Sequence, residues 1–139
     1  MSADPIQVRA ASQIAAVSAL AAFGAALVYD LHADEEAHKS AIMARIEAAG
    51  VCIEIGAVTA PQSADTIGGA LTPAVGQFEV FAAEKIGGTH SPSGPSLWRT
   101  ICAAICAEPQ FSFTGYEALA TERGYVLHIL SFAHPIFVS

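Results

Sequence analysis

The chain is poor in charge, and poorest in positive charge. Asp, Glu, Lys and Arg make up 14% of its 139 residues, where an ordinary globular domain has about 25%. Six Lys and Arg stand against thirteen Asp and Glu, the formal net charge is −7, and no basic run occurs. A dedicated nucleic-acid binder presents a basic patch to phosphate, so that class is excluded. An acidic ring could still let DNA pass without sticking, because like charges repel. Cysteine is scarce too. Three residues, an odd number, do not make a disulfide framework. Cys102 and Cys106 fall one helical turn apart if residues 96–107 are helical, which reads as small apolar packing on one face. No CxxC and no neighbouring His completes a metal set there.

Catalytic signatures are missing as well. LHADEEAH holds His32, Glu35, Glu36 and His38, but HExxH needs its two His four apart on one helix face. Here they are six apart, so the segment reads as a solvated helix start. His90 sits among Ser91, Ser93 and Ser96 without a GxSxG elbow. IGGTHSPSGPS precedes a helix, as a phosphate cradle does, yet lacks the Lys that a Walker loop brings to phosphate. His128 and His134 share one face of a regular strand. His128, amid Leu127, Ile129 and Leu130, reads as a core or edge residue. No residue is assigned a catalytic, cofactor-binding or metal-binding role, and no enzymatic activity is expected.

What the chain does have is apolar surface. Its hydrophobic fraction is 53% and its mean hydropathy +0.48, more than a small single domain can bury. The surplus must meet a membrane, a partner or further copies of the chain. Much of it is alanine spread along the sequence, which favours self-association. Residues 10–29 are uncharged and long enough to span a bilayer. Ser12, Gln13 and Ser18 interrupt them, and Asp4 offsets Arg9 in what would be a signal n-region. Ile14, Val17, Leu20, Phe23, Leu27 and Val28 recur at helical spacing. A packed helix is therefore expected, with a secreted or membrane-anchored protein using residues 10–29 as an alternative.

Residues 1–139 form one domain on length. Asp4-Pro5 supplies an N-cap and a first-turn Pro for a helix reaching about Val28. Asp34 caps a second helix with the stripe Ile42, Met43, Ile46, and Gly50 stops it. Val51–Val58 alternates as a strand with Val51, Ile53 and Ile55 on one face. Residues 59–76, with Pro61, Pro73, Gly68, Gly69 and Gly76, are expected to be a mobile loop or arm that orders against a neighbour. Gln77–Lys85 is the next strand, with Phe78, Val80 and Ala82 facing one way and Glu79 and Phe81 the other. Ser93 or Gly94 caps a helix with Leu97, Trp98, Ile101 and Ile105 on its apolar face, and Pro109 ends it. Phe111–Leu119 and Tyr125–Phe132 alternate as a hairpin, and the tail HPIFVS docks on an edge. The order α(α)ββαββ gives an α+β fold, a mainly antiparallel four-stranded sheet with helices on one side. Phe81, Trp98, Arg99 and Arg123 are the candidates for self-association, the two Arg as intersubunit ion-pair partners.

Residues 78–132, FEVFAAEKIGGTHSPSGPSLWRTICAAICAEPQFSFTGYEALATERGYVLHILSF, resemble the tail-terminator and minor tail proteins of tailed bacteriophages and prophages, including the lambda-type minor tail protein U and Mu-type tail proteins of similar size. The resemblance lies in the run of elements: an acidic strand at Glu79–Lys85, a polar loop at Thr89–Ser93 and a helix at Leu97–Ala107. A strand at Phe111–Gly115 and a last strand at Tyr125–Phe132 follow. The alanine-rich N-terminal helix matches this pattern only loosely. The resemblance implies a homo-oligomeric ring, usually a hexamer, at the end of the tail tube. Its partners would be the tail tube protein and a head-completion protein, with DNA passing unbound and no membrane. It would be found in the virion tail, and in the host cytoplasm during assembly. The competing expectation is a small-ligand-binding or enzymatic α+β domain with a pocket near His90 and His128, with Glu79 as a further polar candidate.

Overall fold

Residues 4–30, 33–59 and 74–136 are described by the structure, a computed structural model. Helix α1, Pro5–Ala15, begins as its sequence directs. The Asp4 carboxylate accepts from Ile6 N–H at 2.8 Å and the Gln7 side chain accepts from Asp4 N–H at 3.2 Å, a capping box with Pro in the first turn. Gln7 is buried, and its Nε2 donates to the carbonyls of Gly56 at 2.9 Å and Tyr29 at 3.1 Å. A buried amide so satisfied pins the helix start to two strand ends.

The helix expected to reach Val28 does not. It breaks after Ala15 into a one-turn α2, Ser18–Ala21, and then β1, Leu27–Val28. Alanine favours helix, but packing overrides propensity. The break brings Leu20 and Phe23 into the core and lets Leu27 and Val28 pair with Glu54 and Ile55. Residues 10–29 are thus divided among three elements, and no described helix is long and apolar enough to cross a membrane.

Helix α3, Glu35–Ala49, follows the sequence closely. Asp34 accepts from Glu36 N–H, Glu35 and Glu36 occupy the first turn, and Gly50 closes the helix at φ +82°. Strands β2, Val51–Ile55, and β3, Ala74–Lys85, precede α4, Gly94–Cys106; β4, Ser112–Ala120, and β5, Tyr125–Ile136, complete the chain. Residues 60–73 of the expected arm lie outside the described residues. The end of that arm is strand, since β3 begins at Ala74 and Thr59 bridges to Gln77. The first half of the expected docking tail is strand as well: β5 runs on through His134–Ile136, paired with the first residues of β3, and residues 137–139 lie outside the described residues.

The fold is α+β, with one five-stranded mixed sheet ordered β1-β2-β3-β5-β4. β1 lies parallel to β2 and the other pairs are antiparallel. The strand beyond the four expected is β1, whose two residues are too few to show an alternation.

Helices cover both faces of the sheet. On the inner face, Ile53, Phe78, Val80, Leu130 and Phe132 pack with Ile14 of α1 and with Leu97, Ile101 and Ile105 of α4. On the outer face, Ile46 of α3 packs with Cys52 and Ala83, flanked by half-buried Ile42, Met43 and Leu127. The expectation that all helices share one side is corrected. α1, α2 and α4 already fill the inner face, so the stripe of α3 finds apolar cover only on the other.

Candidate functional site

Alternation along β3 sends Phe78, Val80 and Ala82 inward and sends Glu84 after them, a buried carboxylate among apolar neighbours. A buried charge must be paired or hydrogen-bonded, and Glu84 is bonded three ways. His128 Nε2 on β5 lies 2.8 Å from Oε1, and His90 Nε2, from the β3–α4 loop, lies 2.7 Å from Oε2. Gly94 N–H donates to both oxygens, at 3.1 and 2.9 Å. A carboxylate offers about four acceptor positions, so this set nearly saturates it. Burial alone would push the Glu84 carboxyl up. The bonds from His128, His90 and Gly94 together outweigh burial and hold it below its ordinary value of 4.5.

The bonding assigns the tautomers. An ionised carboxylate only accepts, so each imidazole donates to Glu84 from Nε2, and in the neutral ring this leaves Nδ1 as an acceptor. His128 Nδ1 takes the Tyr116 hydroxyl at 2.7 Å. His90 Nδ1 is buried and has no partner. Glycines seal it: a Cβ at Gly50 would come within 2.5 Å of that nitrogen, and one at Gly88 within 2.6 Å. Burial, and then the charge of Glu84, push the Tyr116 phenol above its ordinary value.

The cluster also caps α4. Ser93 stands at the N-cap but makes no side-chain bond to the helix. The free N–H of Gly94 turns instead to Glu84, a carboxylate at the positive end of the helix. The anion that the loop before α4 was suited to bind is thus carried by the chain itself. One carboxylate clamps three segments: β5, the loop through His90, and the start of α4. Held below its ordinary value, it is a weak base and stays ionised at neutral pH.

A cavity of about 320 Å³ opens beside the clamp, lined by Glu84, His90, Ser93, Gly94 and Val126 among others. His90 and His128, expected near one pocket, are brought together. Glu79 is not with them, because it is exposed on the outer face. Two members were missed in the sequence. Glu84 is betrayed by its even spacing with Phe78, Val80 and Ala82. Tyr116 is hidden by a bulge in β4: Phe113 and Tyr116 oppose the consecutive inward residues Phe132 and Leu130.

Of the remaining candidates, His134 is buried on the inner face as expected, its ring 5.2 Å from that of Phe111 and both its nitrogens without a partner. His38 pairs with Glu54, while His32 lies outside the described residues. Cys102 and Cys106 are free thiols half-buried against the core. Phe81 is half-buried on the outer face. Trp98 stacks on Tyr116 at 4.2 Å, and the exposed Arg99 guanidinium lies 5.5 Å from the Trp98 ring centre. Arg123 is exposed in the β4–β5 turn. Among the described residues no group of three or more His, Cys, Asp or Glu is arranged to hold a metal ion.

No protein-family model matches the chain, and no curated protein matches it.

Proposed function

We propose that the chain is a self-assembling structural protein of a phage or prophage tail, a tail terminator that forms a ring at the end of the tail tube. The observation that carries this reading is β4. Its nine residues close the sheet with one backbone edge unpaired by any described strand, and they expose Phe113, Tyr116 and Leu119. Natural edges are usually blunted by Lys, Pro or several charges; Ser112–Ala120 carries one charge, Glu117. An apolar, unguarded edge suits pairing with another chain. The acidic balance suits passage of DNA. In this reading the partners are further copies, the tail tube protein and a head-completion protein. The site of action is the virion tail, and no reaction is catalysed.

Native mass by light scattering across a concentration series tests it. A hexamer, or a climb toward one, is expected, and Leu119→Lys should lower the mass while leaving the fold intact. A strict monomer or dimer at every concentration would remove the assignment. The second reading, a small-ligand domain, is favoured by the meeting of His90 and His128 on Glu84 beside the 320 Å³ cavity. A ligand that raises Tm in the wild type and not in His90→Ala would establish it.

A further inference from the structure

The two broad surfaces of the molecule differ in charge and in cover. The inner helix layer turns one surface to solvent. From residue 5 to 23 and from 93 to 107, the chain forming that layer holds two charged residues, Arg9 and Arg99; the acids that flank these stretches, Asp4 and Glu108, accept from the backbone N–H groups of Ile6 and Gln110. Both arginines are exposed; Arg9 bonds only the neutral Gln110, at 3.2 Å, and Val8 beside it is 49% exposed. Most other exposed positions on α1 are Ala or Ser, which permit close approach.

The opposite surface is the outer face of the sheet, where α3 packs against β2 and β3. Beyond α3 the register lines up three rows: Glu79–Ser131–Gly115, Phe81–Ile129–Glu117 and Ala83–Leu127–Leu119. Glu79, Glu117 and Leu119 are exposed, while Phe81, Leu127 and Ile129 are half-buried. A cavity of about 280 Å³ between α3 and the sheet, lined in part by Phe81, Leu127 and Tyr125, adjoins these rows. Glu54 and Lys85 on this face are paired with His38 and Glu47. Glu79 and Glu117 have no ion-pair partner among the described residues.

We propose that copies of this chain associate front to back, the Arg9–Arg99 surface of one copy on the Glu79–Glu117 surface of the next. Two unpaired acids beside an apolar patch meet two arginines beside Val8 and small residues. Neither surface complements itself: the acids at the ends of the helix layer are held by backbone N–H groups, so the charges left over are arginines on one surface and glutamates on the other. The contact is therefore heterologous. Such contacts build rings when the rotation between copies closes, and open filaments when it does not. The proposal rests on the self-assembly reading and adds which surfaces mate. It also gives Phe81 and Arg99 opposite sides of one contact.

A charge-swap experiment on the full chain tests it. One variant carries Arg9→Glu and Arg99→Glu, the other Glu79→Lys and Glu117→Lys. All four side chains are exposed, so circular dichroism and Tm should match the wild type. Each variant alone should need about ten-fold or more protein to assemble. The equimolar mixture should recover complexes at the wild-type concentration, since each intact surface meets its intact complement and the altered surfaces meet with reversed charge. If the wild type assembles and the variants assemble equally well, the contact is wrong while self-assembly stands. The same holds if the mixture fails to recover. A wild type that is monomeric at every concentration overturns both.

Discussion

Phe78 and Phe81 stand on the same strand and meet opposite surroundings. Phe78 points to the inner face, is 2% exposed, and has the Phe111 and Phe132 rings at 5.1 and 5.5 Å. Phe81 points to the outer face and stays half-buried beside a cavity that α3 leaves open. The inner face is packed within one chain from β2 to β5, and its carboxylate has three donors; only at β4 does it open to solvent. The outer face is finished only as far as α3 reaches. This difference separates what stability requires from what is left for partners.

The sharpest way to break the comparison is to truncate both rings. Phe78→Ala should cost about 3–5 kcal/mol, the range for a ring removed from a packed core. Phe81→Ala should cost about 1 kcal/mol in the monomer, since its ring keeps solvent on one side. Urea unfolding at low protein concentration measures both, and equal losses would show that the outer face is as closed as the inner. If Phe81 belongs to the contact proposed above, its truncation should weaken assembly more than it weakens the fold.

The next largest effect is at Glu84, the one carboxylate on the inner face among the described residues. Glu84→Leu removes the acceptor of two imidazoles and of the first N–H of α4, and should cost about 2–4 kcal/mol. Glu79→Leu, on the outer face, should stay within about 0.5 kcal/mol. A loss at Glu84 no larger than at Glu79 would mean that the clamp does not hold the loop and helix.

Acid should reproduce part of that loss. The folded pKa of Glu84 lies below its ordinary value of 4.5, so the unfolded chain binds its proton first as pH falls. The stabilisation is then full above the ordinary value and disappears as pH drops through the folded one. Stability measured against pH should fall below about pH 4.5, and the fall should be shallower in Glu84→Gln, which no longer titrates there. An unchanged slope would assign the acid sensitivity to the many exposed carboxylates.

These residues also mark how far the sequence could be read. Asp4-Pro5, Asp34 and Gly50 announce their helix ends because capping is settled within a few residues. The inward sets Val51, Ile53, Ile55 and Phe78, Val80, Ala82 follow from alternation alone. What escaped depends on distant partners. β1 is a strand only because β2 lies beside it. The side taken by α3 depends on which face was already filled. Ser93 looks like the cap of α4, yet Glu84 supplies the acceptor from another element. The sequence places His90 and His128 near one pocket but does not show what joins them, because Glu84 reads there as the tail of an acidic strand.

The smallest effect tests whether the clamp reaches the edge of the sheet. Tyr116 is 37% exposed on β4, yet its hydroxyl touches His128 Nδ1 and, through that ring, Glu84. Its ring already stacks on Trp98, so Tyr116→Phe keeps the packing and deletes one hydrogen bond. The cost should be about 0.5–1.5 kcal/mol, the net value of a single neutral bond. A spectroscopic signature goes with it. Burial and the Glu84 charge raise the Tyr116 phenol, so ultraviolet titration of the wild type should show a Tyr116 step above the ordinary value of 10. That step should vanish in Tyr116→Phe and move down in Glu84→Gln, where the negative charge is gone. If it persisted unmoved in Glu84→Gln, the phenol would be raised by burial alone, and the line of hydrogen bonds from core to edge would carry no charge effect to the surface where another copy is expected to dock.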